Sequence, residues 1–232
     1  MSSSTTGNAM VRASGLAAWD ALLGGVVPGL TCVYAPDAAA SMMVYEAAKA
    51  MAAANEWSAN VAVVAVGGRR RQAAAALGST SAAVIPMRHA SLADIRGSFE
   101  AFRGGVVILD DVTTVSRHLR LTRPSRSAAD DFEELILGAQ ETGTAVLAIG
   151  RFDIAGRPMG GALWDALRTA TIRLKPESDA PLGEFRVACD YEAYGPVARA
   201  THGAVARSVY IDRSGVTLID LPDRPVVRVV VE

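Results

Sequence analysis

Residues 24–54 read GGVVPGLTCVYAPDAAASMMVYEAAKAMAAA, and this stretch decides the fold. The apolar run Leu30–Tyr34 predicts a buried strand, which follows a turn at Pro28 and Gly29. The alanine-rich run from about Met42 predicts a helix, because alanine has the highest helix propensity. A short loop at residues 35–41 joins the two. The sequence therefore predicts a strand–loop–helix unit at the beginning of an α/β fold.

The loop stands where an α/β nucleotide-binding protein holds phosphate groups, but it lacks the residues for that task. A phosphate loop follows the pattern G-x-x-x-x-G-K and then Ser or Thr, since its backbone amides, lysine and hydroxyl contact phosphates and magnesium. Here Ala35 and Ala40 occupy the glycine positions, Ser41 the lysine position and Met42 the hydroxyl position. Asp37 adds a negative charge. The position of a phosphate loop between strand and helix is therefore kept, but the residues that would contact phosphate and magnesium are absent.

The segment before the strand carries a resemblance to a known family. Residues 15–29 read GLAAWDALLGGVVPG, in which Asp20, Gly24, Gly25 and Gly29 fit the motif that leads into the phosphate loop of the RecA/RadA/KaiC group of ATPases. The chain resembles this group over about residues 14–175. The resemblance implies a mainly parallel central sheet covered by helices on both sides.

The second predicted strand, at residues 60–66, ends in Gly-Gly and a basic cluster, Arg69, Arg70 and Arg71. In the RecA group this strand ends at a glutamate that activates the attacking water, and no carboxylate stands here. Open parallel sheets bind ligands at the carboxyl ends of their strands. We predict that these arginines contact a phosphate backbone or an acidic partner; the alternative is a solvated helix start.

Residues 104–113, GGVVILDDVT, predict a buried strand that ends in two aspartates. The resemblance implies that Asp110 is the carboxylate that holds magnesium in the RecA group. Because the phosphate loop lacks its lysine and hydroxyl, the alternative is that Asp110 only caps a loop.

The next stretch, residues 116–126, reads SRHLRLTRPSR and concentrates positive charge in a chain whose formal net charge is −1. We predict a flexible basic loop that contacts DNA phosphates. It contains no aromatic residue for base stacking. The alternative is a solvated loop that pairs with the acids just downstream. The residues assigned to this predicted DNA contact are Arg117, His118, Arg120, Arg123 and Arg126.

A later buried strand, Thr144–Ile149, continues into Gly150 and Arg151. The resemblance implies a polar residue here that senses the γ-phosphate, and none is present. Short β-prone runs after about residue 176, including the final VVRVVVE, predict an antiparallel extension of the sheet. The resemblance implies that Trp164 anchors the chain before that extension.

The composition bounds the class of protein. A chain of 232 residues, half of them apolar, fits one domain with a real core. We expect a flexible tail at 1–13 and one domain at 14–232, divided into a core to about 175 and a β-rich extension. Its two cysteines are far apart, which favours thiols over a disulfide or a zinc site. Neither a signal segment nor a membrane span is visible, so a cytoplasmic protein is expected.

Together these features predict an α/β, RecA-like three-layer fold with a mainly parallel sheet and a C-terminal antiparallel extension. The chain resembles degenerate members of the group, such as recombinase paralogs and accessory proteins of the ImuA kind. The expected function is that of a non-hydrolysing protein in recombination, repair or replication. Its expected partners are DNA, single-stranded by preference, a RecA-like or polymerase-type protein, and further copies of itself.

Two other functions stay open at this stage. One is an active ATPase with a divergent loop, which would use ATP and magnesium; the other is a structural assembly subunit. Three simultaneous losses, at residues 35–42, after the second strand and near Gly150, favour a protein without ATPase activity and without a cofactor.

Overall fold

The fold is described from a computed structural model. It describes residues 12–23, 25–26, 28–36, 38–54, 57, 60–122, 128–153, 156–157, 159, 170–176, 184–190, 207–212 and 215–219. Within those ranges, no helix has the length and apolarity needed to cross a membrane. The predictions for Trp164 and for the final VVRVVVE lie outside the described residues.

Helices and strands alternate along most of the described chain. The helices are α1 (Ala17–Leu23), α2 (Ala39–Ala53), α3 (Arg70–Leu77), α4 (Leu92–Ala101), α5 (Val112–Thr122) and α6 (Ala128–Thr142). The strands are β1 (Gly29–Ala35), β2 (Val61–Val66), β3 (Ala83–Met87), β4 (Val106–Asp110), β5 (Ala145–Arg151), β6 (Ala170–Pro176), β7 (Glu184–Asp190), β8 (Arg207–Asp212) and β9 (Gly215–Ile219).

All nine strands form one sheet in the order β3-β2-β4-β5-β1-β6-β7-β8-β9. The pairs from β3 to β6 are parallel. The pairs from β6 to β9 are antiparallel. Parallel strands buried on both faces need continuous apolar runs, and every residue of β2 is buried.

Helices cover both faces of the sheet, which gives three layers. Because side chains alternate along a strand, neighbours such as Val63 and Val64 enter different cores. The first core joins the sheet to α2 and α3, and the second joins it to α4, α5 and α6. The predicted α/β fold class with a mainly parallel central sheet is confirmed.

Helix α2 begins at Ala39, earlier than the predicted start near Met42. The N–H of Met42 already donates a helical hydrogen bond to the carbonyl of Ala38, at 3.0 Å. Alanine has a higher helix propensity than glycine, by about 1 kcal/mol for each residue in a helix. The alanines at the phosphate-loop position therefore become the first turn of a helix, and the predicted loop at 35–41 is shorter than expected.

The predicted flexible loop at 116–126 is wrong over its first part, because residues 112–122 form α5. Val112, Val115 and Leu119 are buried, and their spacing places them on one helical face against the second core. Packing of that face outweighs the high arginine content. Arg123 and Arg126 lie outside the described residues.

The N-terminal segment is tied to the domain by side chains of the family-like motif. Asp20 accepts hydrogen bonds from the backbone N–H groups of Ser14 and Gly15, at 2.7 and 3.2 Å. The ring of Trp19 is fully buried, and its Nε1 donates to the carbonyl of Gly25.

The folded part also reaches two residues into the predicted tail at 1–13. Arg12 forms an antiparallel bridge with Val26, and its guanidinium lies 5.1 Å from the ring centre of Trp57. The Trp57 Nε1 donates to the carbonyl of Ala13, at 2.7 Å. Residues 1–11 lie outside the described part.

Candidate functional site at the carboxyl edge of the sheet

The candidate residues lie where the parallel strands β1, β2, β4 and β5 end. Ala65 of β2 is in register with Asp110 of β4, and Asp110 is in register with Ile149 of β5. Ala35 at the end of β1 is in register with Arg151. The chain leaves β1 into α2 on one face and β4 into α5 on the other, and ligands bind between such opposed connections in open α/β sheets.

The phosphate-loop position is closed by apolar side chains and by helical backbone. Ala35 and Ala40 are fully buried, Ser41 is 7% exposed, and Met42 is half-buried. Ala38 caps α2 without a side-chain hydrogen bond. These residues offer a phosphate neither a lysine ammonium nor the glycine-lined turn that brings backbone amides close.

Asp110 lies at the centre of a buried polar cluster at the end of β4. Its side chain is fully buried, and Tyr45 of α2 donates a hydrogen bond from its hydroxyl to Oδ2, at 2.6 Å. The Nη1 atom of Arg69 lies 3.0 Å from Oδ1 of Asp110. The Nη2 atom of the same guanidinium lies 2.8 Å from Oδ2 of Asp111. Arg69 therefore bridges two consecutive carboxylates.

Asp111 also begins the helix that follows. Its Oδ1 accepts a hydrogen bond from the backbone N–H of Thr114, at 2.7 Å, which caps the first turn of α5. The sequence offered a capping role to Asp110, and the structure gives that role to its neighbour.

Burial dominates the electrostatics of this cluster. Burial raises the pKa of Asp110 above its ordinary value, while the hydrogen bond from Tyr45 and the charge of Arg69 oppose that rise. Burial, followed by the negative charge of Asp110, raises the pKa of Tyr45, so its hydroxyl keeps its proton and acts as a donor. The close contact of Arg69 Nη1 with Asp110 Oδ1 is an ion pair at an angle that makes no hydrogen bond.

The residues present do not fit a magnesium nucleotide. A divalent cation at Asp110 would have to displace the guanidinium from Oδ1 and the Tyr45 hydroxyl from Oδ2. The carboxylate that the family resemblance assigns to magnesium is neutralised here by a side chain of the same protein.

The position of the expected γ-phosphate sensor is filled by an aromatic ring. A Cβ atom at Gly150 would lie only 2.3 Å from Cε1 of Tyr34, which is fully buried. The ring of Tyr34 in turn lies 5.5 Å from that of Phe152. Gly150 therefore admits the Tyr34 ring, and the next residue, Arg151, is exposed.

The predicted DNA-contacting residues separate into different environments. Arg70, Arg71 and Arg117 are exposed, whereas Arg69 is occupied by the two aspartates. His118 accepts a hydrogen bond at Nδ1 from the backbone N–H of Ala90, at 3.1 Å. Arg120 belongs to α5, and the environment of its side chain is not described.

Sequence reasoning missed the partners inside the cluster. The sequence predicts Tyr45 only as part of an alanine-rich helix, and it gives no sign of the contact between Arg69 and Asp110. The available signal was that Arg69 and Asp110 both lie at the ends of apolar runs. In a parallel sheet, the carboxyl ends of all strands meet at one edge. Only the adjacency of β2 and β4 brings them into contact.

The comparisons with known proteins agree with this architecture. The sequence matches no protein-family model and no curated protein sequence. Among solved structures, it is similar to a KaiC-like protein from the hyperthermophilic archaeon Pyrococcus horikoshii OT3. The TM-score is 0.65 at 11% identity, and the match covers 92% of this chain and 100% of that one. A likeness at this identity shows the fold alone: the chain has a RecA/KaiC-like α/β fold.

Proposed function

We propose that the chain is a non-hydrolysing RecA-like accessory protein that binds DNA, a catalytic partner protein, or both, in recombination, repair or replication. One observation carries the proposal: Asp110, at the magnesium position of the RecA-like frame, is buried and held by Arg69 and Tyr45. Both oxygens of this carboxylate already lie against groups of the same protein, so a metal ion would have to displace one of those groups.

The other positions support the same conclusion. Phosphoryl transfer depends on cations that neutralise the phosphates and on a group that orients the attacking nucleophile. The lysine and hydroxyl positions hold Ser41 and Met42, and the strand that ends in a glutamate in the RecA group is followed here by Arg69. A guanidinium, which does not lose its proton in proteins, cannot serve as a general base.

Binding is proposed as the remaining activity because the same edge exposes arginines. Arg70, Arg71 and Arg151 are exposed next to the closed cluster.

The test is calorimetric titration of the purified chain with ATP and with ADP in magnesium, together with thermal melts and an assay of released phosphate. We expect no binding heat, no rise in melting temperature and no phosphate release above that of the matched variant Asp110→Asn. Phosphate release that Asp110→Asn abolishes would overturn the proposal in favour of an active ATPase with a divergent loop. A chain that binds neither nucleotide nor DNA would favour the structural assembly subunit.

A further inference from the structure

Three segments meet at the β2–β3 side of the carboxyl edge. The turn after β2 contacts the end of β3, because Gly67 N–H donates to the carbonyl of Met87, at 3.0 Å. The same turn lies against α5, since a Cβ atom at Gly67 would be 3.0 Å from Cγ2 of Thr114. The loop after β3 also contacts α5, through the ring of His89, whose centroid is 5.4 Å from that of His118. Residues 67–71, 88–91 and 111–118 therefore form one corner of the molecule.

The exposed charge of this corner is positive. Arg70, Arg71, Arg88 and Arg117 are all exposed, and we call these four residues the basic corner. The three segments contain one carboxylate, Asp111, which is bound to Arg69. The nearest acid that follows them, Asp94, is occupied with the N-cap hydroxyl of Ser91.

The basic corner is also unfavourable for the local structure. Arg70 and Arg71 form the first turn of α3, which contains no acidic residue. Cations at the start of a helix oppose the helix dipole, by roughly 0.3–1 kcal/mol each at exposed positions. Residues that break a local rule without a packing benefit are expected at functional sites.

We propose that the basic corner binds the phosphodiester backbone of a nucleic acid. This inference deepens the proposed function and rests on its DNA-binding part. The guanidinium fork matches phosphate oxygens, and the ends of three adjacent strands span roughly 10 Å, enough for about three consecutive phosphates of one strand. The three segments contain no Phe, Tyr or Trp for base stacking, so the proposed contact is with the phosphate backbone.

The proposal is tested by fluorescence anisotropy of labelled oligonucleotides, one single-stranded and one duplex, over about 50–200 mM salt. The variants are the doubles Arg70→Ala with Arg71→Ala and Arg88→Ala with Arg117→Ala. The matched control is Arg96→Ala with Arg103→Ala, which removes the same charge away from the corner, at a half-buried position on α4 and an exposed position just after it. Each phosphate contact contributes roughly 0.7–0.9 to the salt slope, and each corner double variant removes one or two of about three contacts. Each should therefore lower the slope by about 0.7–1.8 and weaken binding roughly 5- to 60-fold near 0.1 M salt.

The outcomes separate the inference from the proposed function. If the wild type binds DNA and both corner variants bind as tightly as the control variant, the inference about the basic corner is overturned. DNA binding would then belong to another part of the chain. Absence of wild-type binding to either oligonucleotide would overturn the inference together with the DNA-binding part of the proposed function. If polyglutamate competes for the site as well as unlabelled oligonucleotide does, the ligand of the basic corner is an acidic protein partner and not a nucleic acid. Selective loss in the corner variants supports the inference, and the better-bound oligonucleotide identifies the strand form.

Discussion

At the scale of single residues, Arg69 determines what the carboxyl edge can do. A guanidinium is a planar fork, so its two terminal nitrogens reach two carboxylates at once, where a lysine presents one point charge. Nη1 contacts Asp110 and Nη2 contacts Asp111. The side chain of Asp110 is fully buried and that of Arg69 is 18% exposed, so the pair is shielded from water and salt.

Arg69→Met keeps most of the length of the side chain and removes its charge. We expect the free energy of unfolding to fall by about 3 kcal/mol near pH 7, because a buried carboxylate is left uncompensated. Chemical denaturation measures this loss. The exposed control Arg103→Met loses a surface pair with Glu100 and an exposed hydrogen bond to the carbonyl of Glu141, and it should change stability by only about 0.5 kcal/mol.

The loss of unfolding free energy in Arg69→Met relative to wild type, called the deficit below, should also depend on pH. Arg69 opposes the rise that burial causes in the pKa of Asp110, so the pKa in the folded variant is raised further. The folded variant then binds a proton that its unfolded chain does not yet bind, and its deficit relative to wild type shrinks as pH falls from about 7 towards about 5. A deficit that stays constant over this range would mean that Asp110 is not the group left uncompensated.

At the scale of elements, the sequence predicts where the strands lie along the chain but not which strands are adjacent in the sheet. Continuous apolar runs located β2, β4 and β5 within a residue or two, because burial on both faces leaves no polar positions. The contact of Arg69 with Asp110 depends on β2 lying beside β4, and a local sequence pattern carries no information on strand order. The contacts of the central cluster could therefore not be predicted, although the sequence placed Arg69 and Asp110 at the ends of strands.

The start of α2 and the conformation of α5 were mispredicted for different reasons. The family frame suggested a loop at 35–41, whereas the alanines in that frame favour helix. The arginines and Pro124 suggested a loop at 116–126, although Val112, Val115 and Leu119 already carried a helical spacing. The helix propensity of the alanines accounts for the first segment, and the apolar face of α5 accounts for the second.

The strand pair β1–β5 gives a prediction at this scale. Tyr34 of β1 is in register with Gly150 of β5, and its buried ring occupies the space that a Cβ at Gly150 would need. Gly150→Ala should lower the free energy of unfolding by about 2 kcal/mol, because a packed core relieves such an overlap only by moving side chains or backbone. Chemical denaturation measures this loss.

A double-mutant cycle with Tyr34→Ala identifies the cause. In the absence of the large ring, Gly150→Ala should cost much less, so the two losses should be non-additive by at least about 1 kcal/mol. Additive losses would show that the Tyr34 ring is not what restricts residue 150.

At the scale of the whole molecule, the antiparallel extension shares a core with the parallel part. Ile172 and Leu174 of β6 and Ile211 of β8 belong to the same buried cluster as Met43 and Met51 of α2. The sheet is continuous from β3 to β9, and Val216 of β9 packs against that cluster. A layer that shares its core with its neighbour is not expected to unfold alone.

We therefore expect the described elements to unfold as one cooperative unit. Ile211 is 4% exposed, so Ile211→Ala should lower the free energy of unfolding by about 2–4 kcal/mol and shift one transition without splitting it. Tryptophan fluorescence, which includes Trp19 and Trp57 of the parallel part, and far-ultraviolet circular dichroism should give coincident denaturation curves. The control Leu137→Ala, at a side chain that is 50% exposed, should cost less than about 1 kcal/mol. An early dichroism transition in Ile211→Ala that leaves tryptophan fluorescence unchanged would instead mark the extension as a separate unit, attached to a RecA-like core that is stable without it.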